Sequence, residues 1–203
     1  MRFHVGPPPV TESFDPAEQG WTRLREPRPG LLLCVAVPLG LLMGAGLSFA
    51  WAFVLRRWPA QLPDGFSVTI GLGQLATAAV ALFAFLAAHE ALHALPALLG
   101  GQRDGLVVGF SPRHVAPYVV VNAALPREVQ LLCGVLPFLV LSVMPFLIAV
   151  AVPRAGVWLA VLSVLNAVAS GADLIALTLL LAQVPHGASV RNDGPTTWWR
   201  SSV

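Results

Sequence analysis

His89-Glu90-Ala91-Leu92-His93 lies inside a long apolar run of this chain and has the spacing HExxH. Residues four apart share one face of a helix, so His89 and His93 can present two imidazoles to one metal ion, with Glu90 beside them. Two histidine ligands and a carboxylate that takes a proton from water are the parts of a hydrolytic zinc site. The pattern therefore predicts that His89 and His93 bind Zn²⁺ and that Glu90 is the catalytic base.

Histidines in membrane helices can instead hydrogen-bond across a helix interface, with Glu90 held protonated. The distribution of charge favours the metal. The predicted apolar segments contain Glu90 and Asp173 but no arginine, and the chain has no lysine. Each ionised acid near the middle of a membrane costs about 2.5 to 3.5 kcal/mol on insertion scales. A bound divalent cation would compensate both acids.

Composition assigns the chain to the integral membrane proteins. Of its 203 residues, 56% are hydrophobic and 11% are charged, and the mean hydropathy is +0.74. These values are typical of one membrane domain rather than a soluble one. The basic residues are spread over the loops without the clustering that nucleic acid binding requires. Cys34 and Cys133 both have apolar neighbours, which argues against a structural disulfide and against a cysteine metal site.

The apolar segments predict an all-α membrane protein, a bundle of four transmembrane helices at about 31–55, 67–99, 129–152 and 155–183. Together they form a transmembrane domain at 31–183. Residues 1–30 are polar and rich in proline, and we expect a disordered cytoplasmic tail there. Residues 184–203 are expected to be a polar C-terminal tail. Gly40 and Gly44 form a GxxxG pattern, which permits close approach of a second helix.

Residues 100–128 form a small β-prone insert between helices two and three. The runs Leu106–Phe110 and Tyr118–Asn122 are separated by prolines, so a hairpin and a plain connecting loop are both open. A hairpin edge could hold an extended peptide beside the metal site by strand addition. His114 lies in the turn and is a weak ligand candidate.

The fourth apolar segment carries a stripe of polar residues at helical spacing: Ser163, Asn166, Ser170 and Asp173. Such a stripe is either hydrogen-bonding contact between helices or the lining of a wet or metal-containing cavity, and its ending in an aspartate favours the cavity. The excess of arginine at one side predicts that both termini are cytoplasmic. Helices two and four then run in the same direction, and His93 and Asp173 lie at similar depth.

Asp173 is therefore the predicted third ligand, and His186 and Glu128 are the alternatives. Asn166 or Ser170 could position the backbone of a substrate. The motif, the β-prone insert and Asn166-x-x-x-Ser170-Gly171-Ala172-Asp173 resemble the putative zincin peptidase family of bacterial membrane proteins, over about residues 67–193.

That architecture is similar to the site-2 protease class of intramembrane metalloproteases. The resemblance implies that His89, His93 and Asp173 hold zinc and that Glu90 is the catalytic base. The aspartate of site-2 proteases usually precedes a glycine, whereas Leu174 follows Asp173 here.

These observations predict a zinc metalloprotease, embedded in the bilayer of the bacterial plasma membrane, that hydrolyses membrane or membrane-proximal protein substrates. Its partners would be a membrane protein or peptide substrate and the lipid bilayer, with no nucleic acid. Two alternatives use the same residues. The His, Glu and Asp cluster could serve metal or proton transport, or the chain could be an inactive membrane adaptor.

Overall fold

Helices form the scaffold of the computed structural model, which describes residues 2–57, 71–113, 116–152 and 157–201. The helices are α1 (Pro29–Arg57), α2 (Leu72–Leu99), α3 (Arg127–Phe138), α4 (Met144–Ala151), α5 (Val157–Ala169) and α6 (Gly171–Gln183). A π-helical turn, Leu139–Val143, joins α3 to α4. Within these ranges three helical stretches are long and apolar enough to cross a membrane, or four if α5 and α6 are counted as one span.

The outer faces of the helices are apolar and exposed. In the apolar window of α2 only 6% of the residues are buried, and leucine, valine and phenylalanine side chains project outward along it. An exposed apolar surface of this extent is unfavourable in water and favourable in lipid. The helices are thus compatible with an integral membrane protein.

The last apolar segment is broken, whereas the sequence predicts one continuous helix at 155–183. α5 and α6 are bent by 48° at Ser170, where the backbone ψ angle is 5° instead of the helical value near −42°. α1 packs against both pieces at glycines. A Cβ on Gly40 would overlap the carbonyl of Val168, and one on Gly171 would overlap the carbonyl of Ala36. Glycine therefore permits the close approach of α1 to both sides of the bend.

One sheet covers the HExxH helix. It contains β1 (Arg2–Val5), β3 (Leu106–Ser111) and β4 (Ala116–Val121) in the order β1-β3-β4. β3 and β4 form an antiparallel hairpin, and β1 adds to β3 in parallel. β4 is an edge strand of this sheet and packs along α2.

A second sheet corrects the prediction of a disordered N-terminal tail. Its strands, in the order β2-β7-β6-β5, are β2 (Thr22–Arg23), β7 (Thr196–Arg200), β6 (Ser189–Asp193) and β5 (Leu125–Pro126). The N-terminal segment is ordered because Phe14, Trp21 and Leu24 are buried. The Phe14 ring contacts Trp21 and Trp198 edge to face. The predicted C-terminal tail likewise contains β6 and β7.

Candidate metal centre

The two histidines of the motif face each other and Asp173. His89 is 6% exposed, and its Nε2 atom lies 3.3 Å from Nε2 of His93. Asp173 approaches from α6, with Oδ2 3.3 Å from Nε2 of His89 and Oδ1 3.5 Å from Nε2 of His93. The structure thus brings together the three side chains that the sequence selected as ligands.

The opposite nitrogen of each histidine ring is held by an acceptor. Nδ1 of His93 lies 2.8 Å from the carbonyl oxygen of Cys133, which can only accept. Nδ1 of His89 lies 2.7 Å from Oδ1 of Asn166. The amide nitrogen of Asn166 donates to the carbonyl of Pro137 at 3.1 Å, so its oxygen faces His89. Both neutral rings therefore carry their proton on Nδ1 and present an unprotonated Nε2 to Asp173.

This arrangement fits a cation. Two nitrogen lone pairs and a carboxylate that converge without a proton between them repel one another. Oδ2 of Asp173 is buried and accepts no hydrogen bond from any residue in the described ranges. In a tetrahedral zinc site with bonds of about 2.0 to 2.2 Å, neighbouring ligand atoms are roughly 3.3 to 3.6 Å apart. The two Nε2 atoms, 3.3 Å apart, match that spacing, and each has an oxygen of Asp173 at 3.3 or 3.5 Å.

Glu90 completes the cluster on the side of the hairpin. Ligand atoms of His89, Glu90 and His93 all lie within 4.8 Å of one another. The Glu90 carboxylate lies close to the main chain of Val119 in β4. It also lines a cavity of about 620 Å³ between α2 and the hairpin, whose walls are mainly apolar and include Ala87, Leu98 and Tyr118. The acid is therefore held beside the histidines and next to a space that can take apolar groups.

A second cavity, of about 220 Å³, opens on His93 and Asp173. Leu24 and Glu26 of the N-terminal segment contribute to its wall, together with Thr197 of β7. Thr197 donates a hydrogen bond of 2.9 Å to Glu26. Partial burial raises the pKa of the Glu26 carboxyl above its usual value. These wall residues were missed from the sequence, because Leu24 and Glu26 lie in a segment that was expected to be disordered and Thr197 lies in one that was expected to be a polar tail.

Asn166 and Ser170 have a different setting from the substrate-positioning role predicted for them. Their exposed fractions are 0% and 1%. The Asn166 amide is bonded to His89 through its oxygen, and its nitrogen donates to Pro137 and more weakly to Ser170 at 3.4 Å. Asn166 thus lies directly behind His89, and Ser170 lies behind Asn166. The helical spacing indicated that Asn166 and Ser170 share one polar face of the helix. It did not show which residues that face contacts.

The alternative ligands form a pair of their own. Nδ1 of His186 lies 3.6 Å from Oε1 of Glu128, and the His186 side chain is 89% exposed. The same nitrogen lies 3.2 Å from a guanidinium nitrogen of Arg127. The contacts of His186 and Glu128 thus join them to each other and to Arg127. His114 lies outside the described residues.

Comparison with known proteins gives one family. A family model described as putative zincin peptidase matches residues 82–189, which is more than half of the chain. The matched region contains His89, Glu90, His93 and Asp173. It excludes the N-terminal segment and β7, which form part of the second cavity. No curated protein and no solved structure matched the chain.

Proposed function

This chain belongs to the putative zincin peptidase family, and from that premise we propose that it is a membrane-embedded zinc metalloprotease. His89, His93 and Asp173 are the proposed ligands. The observation that carries the proposal is the convergence of Nε2 of His89, Nε2 of His93 and a buried carboxylate oxygen of Asp173 that has no hydrogen-bond donor among the described residues. A zinc ion bound there would supply a Lewis acid that polarises a carbonyl and makes water easier to deprotonate.

Glu90 is the proposed base of the reaction. Its carboxylate takes a proton from the attacking water and delivers it to the amine that leaves when the peptide bond breaks. The carboxylate lies between the main chain of Val119 and the two histidines, and its ligand atom is within 4.8 Å of theirs. Proton transfer by a positioned acid or base is worth roughly 10²- to 10⁴-fold in rate.

The proposed substrates are membrane or membrane-proximal proteins that present an extended segment. β4 is an edge strand and lies along α2, so a substrate strand added to its open edge would pass beside Glu90. The apolar cavity of about 620 Å³ offers space for apolar side chains of such a segment. A helical substrate must unwind first, because its own hydrogen bonds shield the peptide groups.

The proposal is tested with the variant Glu90→Gln. The control is Glu128→Gln, which makes the same substitution at an exposed glutamate. The protein is purified in mild detergent without chelators, and its zinc content and its cleavage of fluorescently labelled casein are measured. We expect both variants to retain zinc, while cleavage falls by roughly 100-fold or more in Glu90→Gln only. Equal cleavage by Glu90→Gln and wild type would refute the role of Glu90. Zinc binding without cleavage by wild type would favour transport or an adaptor.

A further inference from the structure

A set of buried polar side chains lies at the Nδ1 end of the His89 ring. Its members, which we call the buried polar network, are Trp51 of α1, Ser142 of the π turn, and Ser163 and Asn166 of α5. Each is at most 2% exposed. We propose that this network fixes the orientation and the tautomer of His89, which makes Asn166, Ser142 and Ser163 positioning residues for a metal ligand. The inference rests on the proposed function, since the ligand role of His89 belongs to it.

The hydrogen bonds from Trp51 to Ser163 and from Ser163 to Ser142, the first half of the network, can run in only one donor-to-acceptor direction. The indole nitrogen of Trp51 can only donate, and it donates to Oγ of Ser163 at 3.0 Å. The Ser163 hydroxyl then donates to the main-chain carbonyl of Ser142 at 2.8 Å. Because the chain begins at a group that only donates and ends at one that only accepts, its direction cannot reverse.

The second half continues to the histidine. The Ser142 hydroxyl donates to the carbonyl of Ser163 at 2.9 Å, so its oxygen is left to accept from Nδ2 of Asn166 at 2.9 Å. The carbonyl of Pro137 accepts from the same amide nitrogen at 3.1 Å. The amide oxygen must therefore face His89, whose Nδ1 donates to it. In the neutral ring, Nε2 is then unprotonated and directed at Asp173, as a zinc ligand requires.

The π turn has a place in this network. Its hydrogen bond from Met144 to the carbonyl of Leu139 spans five residues, and Pro145 directly after it has no N–H to donate. Turns of this kind are uncommon and occur frequently at functional sites. Here the turn places the side chain of Ser142 in contact with Ser163 and Asn166. The two hydrogen bonds between Ser142 and Ser163 then join the π turn, and with it α3 and α4, to α5.

The same contacts could serve only to hold helices together, and zinc affinity distinguishes the two roles. The test variants are Asn166→Leu and the milder Ser142→Ala. Thr178→Ala is the control, because its hydroxyl makes an exposed hydrogen bond of 2.7 Å to Leu174 on the same span as Asp173 but outside the network. Zinc dissociation constants are measured by competition with a chromophoric chelator. We expect affinity to fall about 10- to 100-fold in Asn166→Leu, roughly 3- to 10-fold in Ser142→Ala, and less than about twofold in the control.

A second experiment measures the tautomer of His89 in protein that contains no zinc. In zinc-free protein labelled with ¹⁵N-histidine, long-range ¹⁵N–¹H correlation spectra identify the protonated nitrogen, with His89→Gln as the assignment control. We expect Nδ1–H for His89 in wild type and a mixture in Asn166→Leu. Wild-type zinc affinity in Asn166→Leu, or Nε2–H for His89 in wild type, would overturn the positioning role. If wild type bound no zinc at all, the proposed function would fail, and the tautomer would still decide the role of the network.

Discussion

The two spans that supply the candidate metal centre are built in opposite ways. α2 is a single helix of 28 residues, and it brings His89 and His93 together by the helical repeat alone. α5 and α6 are bent by 48° at Ser170, and Asp173 lies three residues beyond the bend. The comparison teaches that ligands within one helix need only their spacing, whereas a ligand from another helix depends on how that helix is packed.

The packing partner of the broken span is α1. Its residues Gly40 and Gly44 face Val168 of α5, and Gly171 at the start of α6 faces Ala36. α1 also reaches the site through Trp51, at the beginning of the buried polar network. α1, which supplies no proposed ligand, therefore supports one proposed ligand on each of the two spans.

The largest effect is expected on the α2 side of the comparison. His89→Ala or His93→Ala removes a ligand outright, so zinc should fall from about one ion per chain to about a tenth or less. The content is measured by atomic emission on protein purified without chelators. His4→Ala, in β1, is the control and should keep its zinc. Half or more of the wild-type zinc in either ligand variant would contradict the predicted pair.

A second prediction addresses the α1 contact that supports the broken span. Gly40→Ala places a Cβ against the carbonyl of Val168, and overpacking of this kind costs about 1 to 3 kcal/mol. We expect a lower unfolding temperature and weaker zinc binding, because α5 and α6 must move relative to α2. Gly46→Ala is the matched control, since a Cβ there meets no described atom within 4 Å. Equal behaviour of the two variants would show that α1 does not hold Asp173.

A third prediction concerns the far end of α6, where Leu24 of the N-terminal segment is buried against Leu180 and Val184. Leu24→Ala should loosen this segment while zinc content stays near that of wild type. Trypsin cleavage after Arg23 or Arg25, followed by mass spectrometry, should be on the order of tenfold faster, because local opening costs less. Val5→Ala, at an exposed position of β1, is the control. Unchanged cleavage in Leu24→Ala would show that this contact does not anchor the segment.

The smallest effect is expected where a histidine is held by the main chain. Cys133→Ala removes a buried thiol but leaves the carbonyl that accepts from His93. Zinc affinity should change by less than about threefold, well below the change expected for Asn166→Leu. The chelator competition assay measures both variants side by side. A loss as large as that of Asn166→Leu would mean that the Cys133 side chain itself supports the site.

Sequence predicted the parts of this molecule that follow from periodicity. The HExxH spacing identified two ring nitrogens that face one another, and the polar stripe on the last span led to Asp173. The first three apolar segments agree with helices at Pro29–Arg57, Leu72–Leu99 and Arg127–Ala151. These features could be predicted because each depends on residues that are close together in the chain.

Features that depend on distant contacts were not predicted. The bend at Ser170 has no proline to mark it and accompanies the glycine contacts with α1. The order of the N-terminal segment comes from burial of Leu24 and Trp21 and from pairing of β2 with β7, about 175 residues away in the chain. The contact of Asn166 with His89 was not predicted either, because a stripe on one helix does not show which neighbour it meets.

The most direct test of the central claim is the zinc content of wild type and Asp173→Ala, purified in parallel without chelators. The account predicts about one zinc ion per chain in wild type and about a tenth or less in the variant, with the helical content of both unchanged by circular dichroism. Absence of zinc from wild type would contradict the metal site. Full zinc in Asp173→Ala would contradict the assignment of its third ligand.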